Sequence, residues 1–203
     1  MNSKTANKKL IVKTMAITGI MAALSSILRF LEFPLVFIAP DFLKIDFSNL
    51  PALIVSFIAG PVYGLIVVAI KNLVYLPFSA TGGIGEIADF ILGGIFVFTA
   101  GIIYKLKPTK KSALTGMISG TLIMTVSAAF LNYFFLIPFF AKFFGNQPIE
   151  NIVNAFKTIF PFIDNLFKAV CFSIIPFNLI KGVVISLITF LVYKRLSKLF
   201  KKI

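Results

Sequence analysis

The chain has 203 residues, of which 59% are hydrophobic and 13% are charged, and its formal net charge at pH 7 is +13. Soluble domains are about half apolar and about a quarter charged, so this composition excludes an ordinary soluble protein and predicts an integral membrane protein. A single cysteine, Cys171, and the absence of histidine argue against an internal disulfide, a zinc site and histidine-based catalysis.

The positive charge is concentrated in three clusters, none of which contains an acidic residue. The clusters are Lys4, Lys8, Lys9 and Lys13; Lys105, Lys107, Lys110 and Lys111; and Lys194, Arg195, Lys198, Lys201 and Lys202. The positive-inside rule places all three on the cytoplasmic side of a membrane, together with both termini. Membrane topology therefore explains the basic charge without nucleic acid as a partner.

The apolar segments predict an all-α integral membrane protein, with six transmembrane helices in one domain, 1–203. The approximate helix ranges are 10–33, 47–59, 61–77, 85–106, 111–141 and 168–194, and about 20 residues cross a bilayer core. Between residues 47 and 85 the only charge is Lys71. Two crossings there keep the second basic cluster cytoplasmic, and Gly60-Pro61 supplies a helix end followed by a helix start.

Three connections remain for the outer side, at about 34–46, 78–85 and 142–167. In the longest, Pro148 precedes apolar residues at helical spacing, which predicts a short amphipathic helix that is either a lid or an interfacial connector. The glycine-rich TGGIGE sequence, starting at Thr81, has no lysine of a nucleotide-binding loop and indicates a tight turn.

Polar residues within apolar spans are candidates for function, because a membrane interior penalises them. Asn178 and Lys181 are three residues apart, so they share a helix face. Lys181 lies thirteen residues before Lys194, roughly 20 Å from the inner surface and thus in the outer half of the bilayer. Asn132, twenty-one residues after Lys111, lies at a comparable height.

Each of these polar residues also has a structural interpretation. Asn132 and Asn178 are candidates for hydrogen bonds between membrane helices, which would stabilise the bundle without any ligand. Lys71 is interpreted as structural, in an ion pair with Glu86 or Asp89. The ligand and structural interpretations of the two asparagines stay open at this point.

Three parts of the sequence carry a family resemblance. They are Phe42 to Leu76 (FLKIDFSNLPALIVSFIAGPVYGLIVVAIKNLVYL), Thr81 to Gly93 (TGGIGEIADFILG) and the PFNLIKG sequence around Asn178. The chain resembles the riboflavin-specific substrate-binding (S) components of energy-coupling-factor (ECF) transporters. The resemblance implies that Asn132, Asn178 and Lys181 contact the flavin. By the same analogy, the first outer loop closes over the ligand; its candidate ligand residues are Phe42, Leu43, Lys44 and Asp46.

The resemblance also implies a function, a location and partners. Riboflavin, the substrate rather than a cofactor, is captured from outside a bacterial cell membrane, and the chain is not an enzyme. ATP-driven uptake requires an ECF transmembrane coupling subunit and two ATP-binding subunits, and membrane lipid surrounds the chain. Small residues on the first helix, Ala16, Gly19 and Ala23, dock on the coupling subunit, although packing within the bundle is the alternative use of that face.

The predicted ligand agrees with the chemistry of these side chains. Riboflavin is neutral and has a uracil-like edge of donors and acceptors, which asparagine amides and one lysine can pair. Among 25 phenylalanines, those near Phe42, Phe134 and Phe177 are candidates to stack on its rings. The alternatives are an S component for another vitamin, a small membrane enzyme acting on lipids, and a stand-alone facilitator.

Overall fold

The computed structural model describes residues 3–143 and 148–200, most of which are helical. Its helices are α1 (Ser3–Phe30), α2 (Asn49–Ile58), α3 (Pro61–Tyr75), α4 (Ile84–Leu106), α5 (Lys110–Phe143), α6 (Ile149–Lys157) and α7, which begins at Leu166 and ends at Phe200. Two short strands, β1 (Phe33–Pro34) and β2 (Lys44–Ile45), pair antiparallel in the first outer loop. Lys201 and Lys202 lie outside the described residues, and only the backbone is described at Lys4, Lys194, Arg195 and Lys198.

Five of the described helices, α1, α3, α4, α5 and α7, are long and apolar enough to cross a membrane. Helix α2 is apolar but has only 10 residues, about 15 Å at 1.5 Å per residue, which is half of a bilayer core of about 30 Å. Its Phe57 packs on Tyr104, near the predicted cytoplasmic end of α4, with ring centroids 4.9 Å apart. Helix α2 therefore fills the cytoplasmic half of the bundle, and the first outer loop occupies the half above it.

The α2–α3 connection follows the predicted glycine and proline. Gly60 has a φ of +110°, a backbone conformation that side chains with a Cβ rarely adopt, and Pro61 is the first residue of α3. A Cβ on Gly101 of α4 would lie only 1.9 Å from Ser56 Oγ of α2. The hairpin therefore packs tightly against the cytoplasmic half of α4.

Helices α4 and α5 make backbone contact through two glycines one turn apart. A Cβ on Gly116 would lie 2.7 Å from the carbonyl oxygen of Ala100, and a Cβ on Gly120 would lie 2.8 Å from that of Phe96. Small residues at this spacing allow membrane helices to approach closely. In a bilayer, dispersion contacts rather than the hydrophobic effect then hold the helices together. The fully buried Phe96 and Met117 lie in the core at this interface.

Helices α5 and α7 each contain a π-helical segment, Asn132–Leu136 and Val170–Ile174. In both helices the sequence Ile-Pro-Phe follows directly, with the prolines at Pro138 and Pro176. Proline lacks the N–H that continues an α-helix, and its ring crowds the carbonyl four residues earlier, so hydrogen bonding changes locally. Such segments are frequent at functional sites.

Helix α6 packs against the outer ends of α5 and α7 rather than lying free at the surface. Its Ile152, Val153 and Phe156 are buried, in a cluster that also contains residues of both long helices. The ring of Phe156 lies 5.7 Å from that of Phe42 in the first outer loop. Helix α6 therefore contacts the first outer loop.

The close approach of α4 and α5 makes Gly120 sensitive to substitution. We expect Gly120→Ala to lower the free energy of unfolding by about 1–3 kcal/mol, because the new methyl group must displace the α4 backbone. The thermal unfolding midpoint of the detergent-solubilised protein measures this effect. Gly19→Ala is the matched control, since a Cβ at Gly19 meets nothing within 4 Å, and equal midpoints for both variants would contradict the packing described.

Candidate ligand-binding site

A cavity of about 360 Å³ lies at the end of the bundle opposite the basic loop that joins α4 to α5. Helices α1, α3, α4, α5 and α7 provide its walls, together with the first residue of α2, the first outer loop and the loop between α3 and α4. Small-molecule sites have volumes of about 300–1,000 Å³, so the cavity is large enough for a compact organic ligand. Six of the sequence-predicted site residues line it: Phe42, Leu43, Lys44, Asn132, Asn178 and Lys181.

The first outer loop is held over the cavity by its β1–β2 pairing and by side-chain contacts. Lys44 Nζ donates to Glu32 Oε1 at 2.7 Å, and Ser173 Oγ of α7 donates to the carbonyl oxygen of Ile38 at 2.6 Å. Phe42 stacks on Phe140 of α5, with ring centroids 6.2 Å apart. The loop is thus fastened to α5 and α7, and to Glu32, which lies just after the end of α1.

The amides of Asn132 and Asn178 are oriented by their own helices. Asn132 Nδ2 donates to the carbonyl oxygen of Ala128 at 2.8 Å, and Asn178 Nδ2 donates to that of Ile174 at 2.9 Å. A carbonyl oxygen only accepts, so each amide must turn its nitrogen toward the helix backbone. The Oδ1 atoms of both side chains are then left for other partners, as acceptors.

Lys181 and Lys71 share one buried carboxylate. Lys181 Nζ lies 3.0 Å from Asp89 Oδ1, and Lys71 Nζ lies 2.8 Å from Asp89 Oδ2. Lys71 is fully buried and does not line the cavity, whereas Lys181 and Asp89 do. Of the two partners predicted for Lys71, the structure selects Asp89.

Asp46 lies behind the cavity wall rather than on it. Its side chain is fully buried, with Oδ1 accepting from Ser48 N at 2.7 Å and Oδ2 lying 3.6 Å from Lys181 Nζ and 3.2 Å from Arg29 Nη1. Burial raises the pKa of Asp46, but the charges of Lys181, Lys71 and Arg29 outweigh burial and hold that pKa below its usual value. Asp46 thus ties the first outer loop to α1 and α7.

Further charges lie around the outer part of the cavity. The Arg29 guanidinium lies 4.5 Å from the centre of the Tyr75 ring, and its Nη2 lies 3.8 Å from Glu86 Oε1. Burial raises the pKa of Glu32, but the hydrogen bond from Lys44 and the charge of Arg29 together hold it below its usual value. The outer rim therefore contains several mutually paired charges, among them Arg29 with Glu32 and Lys44 with Glu32.

The three candidate stacking rings have different environments. Phe177 is 4% exposed and lines the cavity, as does Phe42 of the outer loop. Phe134 is 57% exposed and faces a separate apolar groove formed with Ile84 and Ile87 of α4. The structure therefore brings Phe42 and Phe177 to the cavity and leaves Phe134 on the outside of the bundle.

The small residues of α1 divide between two faces. Ala16, Gly19 and Ala23 are exposed, on a surface that the described bundle leaves uncovered. Ala22 and Ser26, which extend the small surface in the sequence, are buried. Packing within the bundle therefore uses a different face from the one that carries the predicted docking residues.

Sequence reasoning missed several residues of the cavity wall. Their common signal is a polar side chain at or near the outer end of an apolar helix, which the membrane interior penalises. They are Arg29, Glu32, Asn49, Tyr75, Glu86 and Asp89.

Comparisons with known proteins agree with this architecture. A family model described as the substrate-specific component of ECF transporters matches residues 13–193. The chain is 39% identical over 197 residues to the riboflavin transporter RibU of Staphylococcus aureus (strain TCH60), covering 97% of this chain and 94% of that protein. It is 32% identical over 189 residues to the riboflavin transporter FmnP of Bacillus subtilis (strain 168), with coverage of 92% and 93%.

A solved structure described as the S component of a bacterial ECF transporter has the same fold. It superposes with a TM-score of 0.73 at 37% identity, covering 93% of this chain and 98% of that one. The family match spans nearly all of the described helices, including every helix that lines the cavity. The chain therefore belongs to the substrate-specific components of ECF transporters, a family of integral membrane proteins.

Proposed function

We propose that this chain captures riboflavin at the outer face of a bacterial cell membrane and delivers it to an ECF module for ATP-driven uptake. The convergence of Asn132, Asn178 and Lys181 on one cavity supports this proposal most directly. The names of the relatives as riboflavin transporters support the choice of ligand. In this role the chain is a transporter component and not an enzyme.

The polar groups of the cavity include both kinds of partner that a flavin ring edge needs. The two asparagine Oδ1 atoms are acceptors and the Lys181 ammonium is a donor. The flavin pyrimidine ring presents an N–H between two carbonyl oxygens, so it needs both kinds of partner. Buried polar groups that find no partner are costly, which makes such an array selective for ligands with this pattern.

The apolar lining suits the rest of the ring system. Leu92, Met124, Leu136 and Phe177 contribute apolar surface between the polar groups. A flat aromatic ligand buries a large area against such walls, and aromatic side chains add favourable ring contacts. Phe42, on the outer loop, is positioned to cover the ligand from above.

The charge balance of the cavity favours a neutral ligand. The cations on its wall are Arg29, Lys44 and Lys181, and each lies within 4 Å of a carboxylate. A neutral vitamin leaves these pairs intact. An anionic ligand would have to compete with carboxylates that are already in place.

Delivery requires partners that we infer from the family. The proposed module contains a transmembrane coupling subunit and two ATP-binding subunits. The exposed small face of α1, with Ala16, Gly19 and Ala23, is the proposed contact with the coupling subunit, because small side chains let membrane helices approach closely.

Loss of one amide from the cavity should weaken flavin binding. We expect Asn132→Ala to cost about 1–3 kcal/mol of binding free energy, the usual penalty for leaving a buried polar group of the ligand unpaired. Quenching of riboflavin fluorescence by the purified protein measures the dissociation constant. Asn154→Ala, at an exposed position of α6 outside the cavity, is the matched control, and unchanged affinity in Asn132→Ala would remove Asn132 from the site.

Phosphorylation of the ligand should also weaken binding. Flavin mononucleotide carries a phosphate of about −1.5 to −2 charge at neutral pH, and the wall cations are already paired. We expect its dissociation constant to exceed that of riboflavin by at least about tenfold, or about 1.4 kcal/mol. Competition between the two flavins for one protein sample tests this, and equal affinities would contradict the charge argument.

The α1 face should affect assembly without affecting capture. We expect Ala23→Leu to retain riboflavin affinity but to lose co-purification with the coupling subunit, because the larger side chain prevents close helix contact. Val126→Leu is the control, since Val126 is 70% exposed on α5. If Ala23→Leu loses flavin binding as well, the α1 face has a structural role instead.

A further inference from the structure

Asn49 is an amide on the cavity wall to which no role has been assigned so far. It is the first residue of α2, its side chain is 0% exposed, and it lines the cavity beside Gly93 of α4. The position lies where the first outer loop ends and the apolar helix begins. Asn49 therefore combines deep burial with a place on the site wall.

Lys71 fixes the orientation of the Asn49 amide. Lys71 Nζ lies 2.8 Å from Asn49 Oδ1. An ammonium group only donates hydrogen bonds, so the atom it faces must be the amide oxygen and not the amide nitrogen. The Asn49 Nδ2 group is consequently directed away from Lys71, with two N–H donors.

The Nδ2 atom finds no acceptor among the residues that the structure describes. A buried donor without an acceptor is unfavourable, and structures retain one mainly where another partner compensates. Glycine at position 93 leaves room for this amide, because a Cβ there would lie 3.0 Å from both Nδ2 and Oδ1. The packing thus accommodates the amide without satisfying its nitrogen.

Asn49 belongs to the same polar end of the cavity as Lys181. Lys71 joins the two, because its ammonium contacts both Asn49 Oδ1 at 2.8 Å and Asp89 Oδ2 at 2.8 Å. Asp89 in turn lies 3.0 Å from Lys181 Nζ. Asp89 and Lys71 therefore connect Lys181 to Asn49, and both of these residues line the cavity.

We propose that Asn49 is a further ligand-binding residue, whose side-chain N–H donates to a ring carbonyl oxygen of the ligand. This assignment rests on the proposed function, since the carbonyl is that of the flavin ring edge. Together with the Lys181 ammonium, it provides a second donor beside the two asparagine acceptors. Lys181 and Asn49 then supply donors for the two ring carbonyl oxygens, and one asparagine oxygen accepts from the ring N–H.

The variant that tests this is Asn49→Asp. Aspartate keeps an oxygen for Lys71, so the buried ammonium retains its partner, but it replaces the N–H donor with an oxygen that repels a carbonyl. We expect the dissociation constant of riboflavin to rise at least about tenfold. Asn154→Asp, at the exposed α6 position, is the control for the added charge. Asn49→Ala is the second variant, for the case that the carboxylate prevents folding.

Lumiflavin, which has the flavin ring system but a methyl group in place of the sugar chain, shows which part of the ligand is contacted. We expect the same fold loss for lumiflavin as for riboflavin. Unchanged riboflavin affinity in a folded Asn49 variant would overturn the proposal, and so would a loss confined to riboflavin. Failure of the unmodified protein to bind riboflavin is a separate result, which contradicts the proposed function.

Discussion

Two buried lysines that share one carboxylate organise this structure. Lys71 and Lys181 lie 2.8 and 3.0 Å from the two oxygens of Asp89, inside a bundle whose other contacts are mostly apolar. Removing one member of a buried ion pair typically costs about 3–5 kcal/mol, because an uncompensated charge remains. Helices α3, α4 and α7 are therefore held in one relative position where the cavity lies, and the first outer loop joins them through Asp46, which contacts Lys181 and Arg29.

This arrangement links the cavity to the outer loop. Lys181 is at once a wall residue of the cavity and a partner of Asp46 in that loop. A ligand that contacts Lys181 thus reaches the same group that holds the loop in place, while Phe42 contributes apolar surface from above. On the opposite side, the buried core around Phe96 and Met117 closes the bundle toward its predicted cytoplasmic end.

Much of the fold was predictable from the sequence because hydropathy and charge are strong signals in a membrane protein. Residue chemistry alone predicts the Gly60-Pro61 connection and the glycine turn before α4. It also identifies Asn132, Asn178 and Lys181 as polar residues within apolar helices. The short strands β1 and β2 were not predicted, since two residues each give no periodic pattern. The π segments were missed, although Pro138 and Pro176 within apolar runs were their visible signal. The place of Asp46 behind the wall depends on tertiary contacts with Arg29 and Lys181, which no local pattern specifies.

In the proposed function, one cavity binds one riboflavin molecule. The most direct test is to purify the detergent-solubilised chain, without partner subunits, from cells supplied with riboflavin, and to measure flavin absorbance against protein concentration. We expect a yellow protein with about one flavin per chain, released on denaturation as unmodified riboflavin. A colourless protein that also fails to quench added riboflavin would contradict it, and would direct the search toward another vitamin for the same cavity.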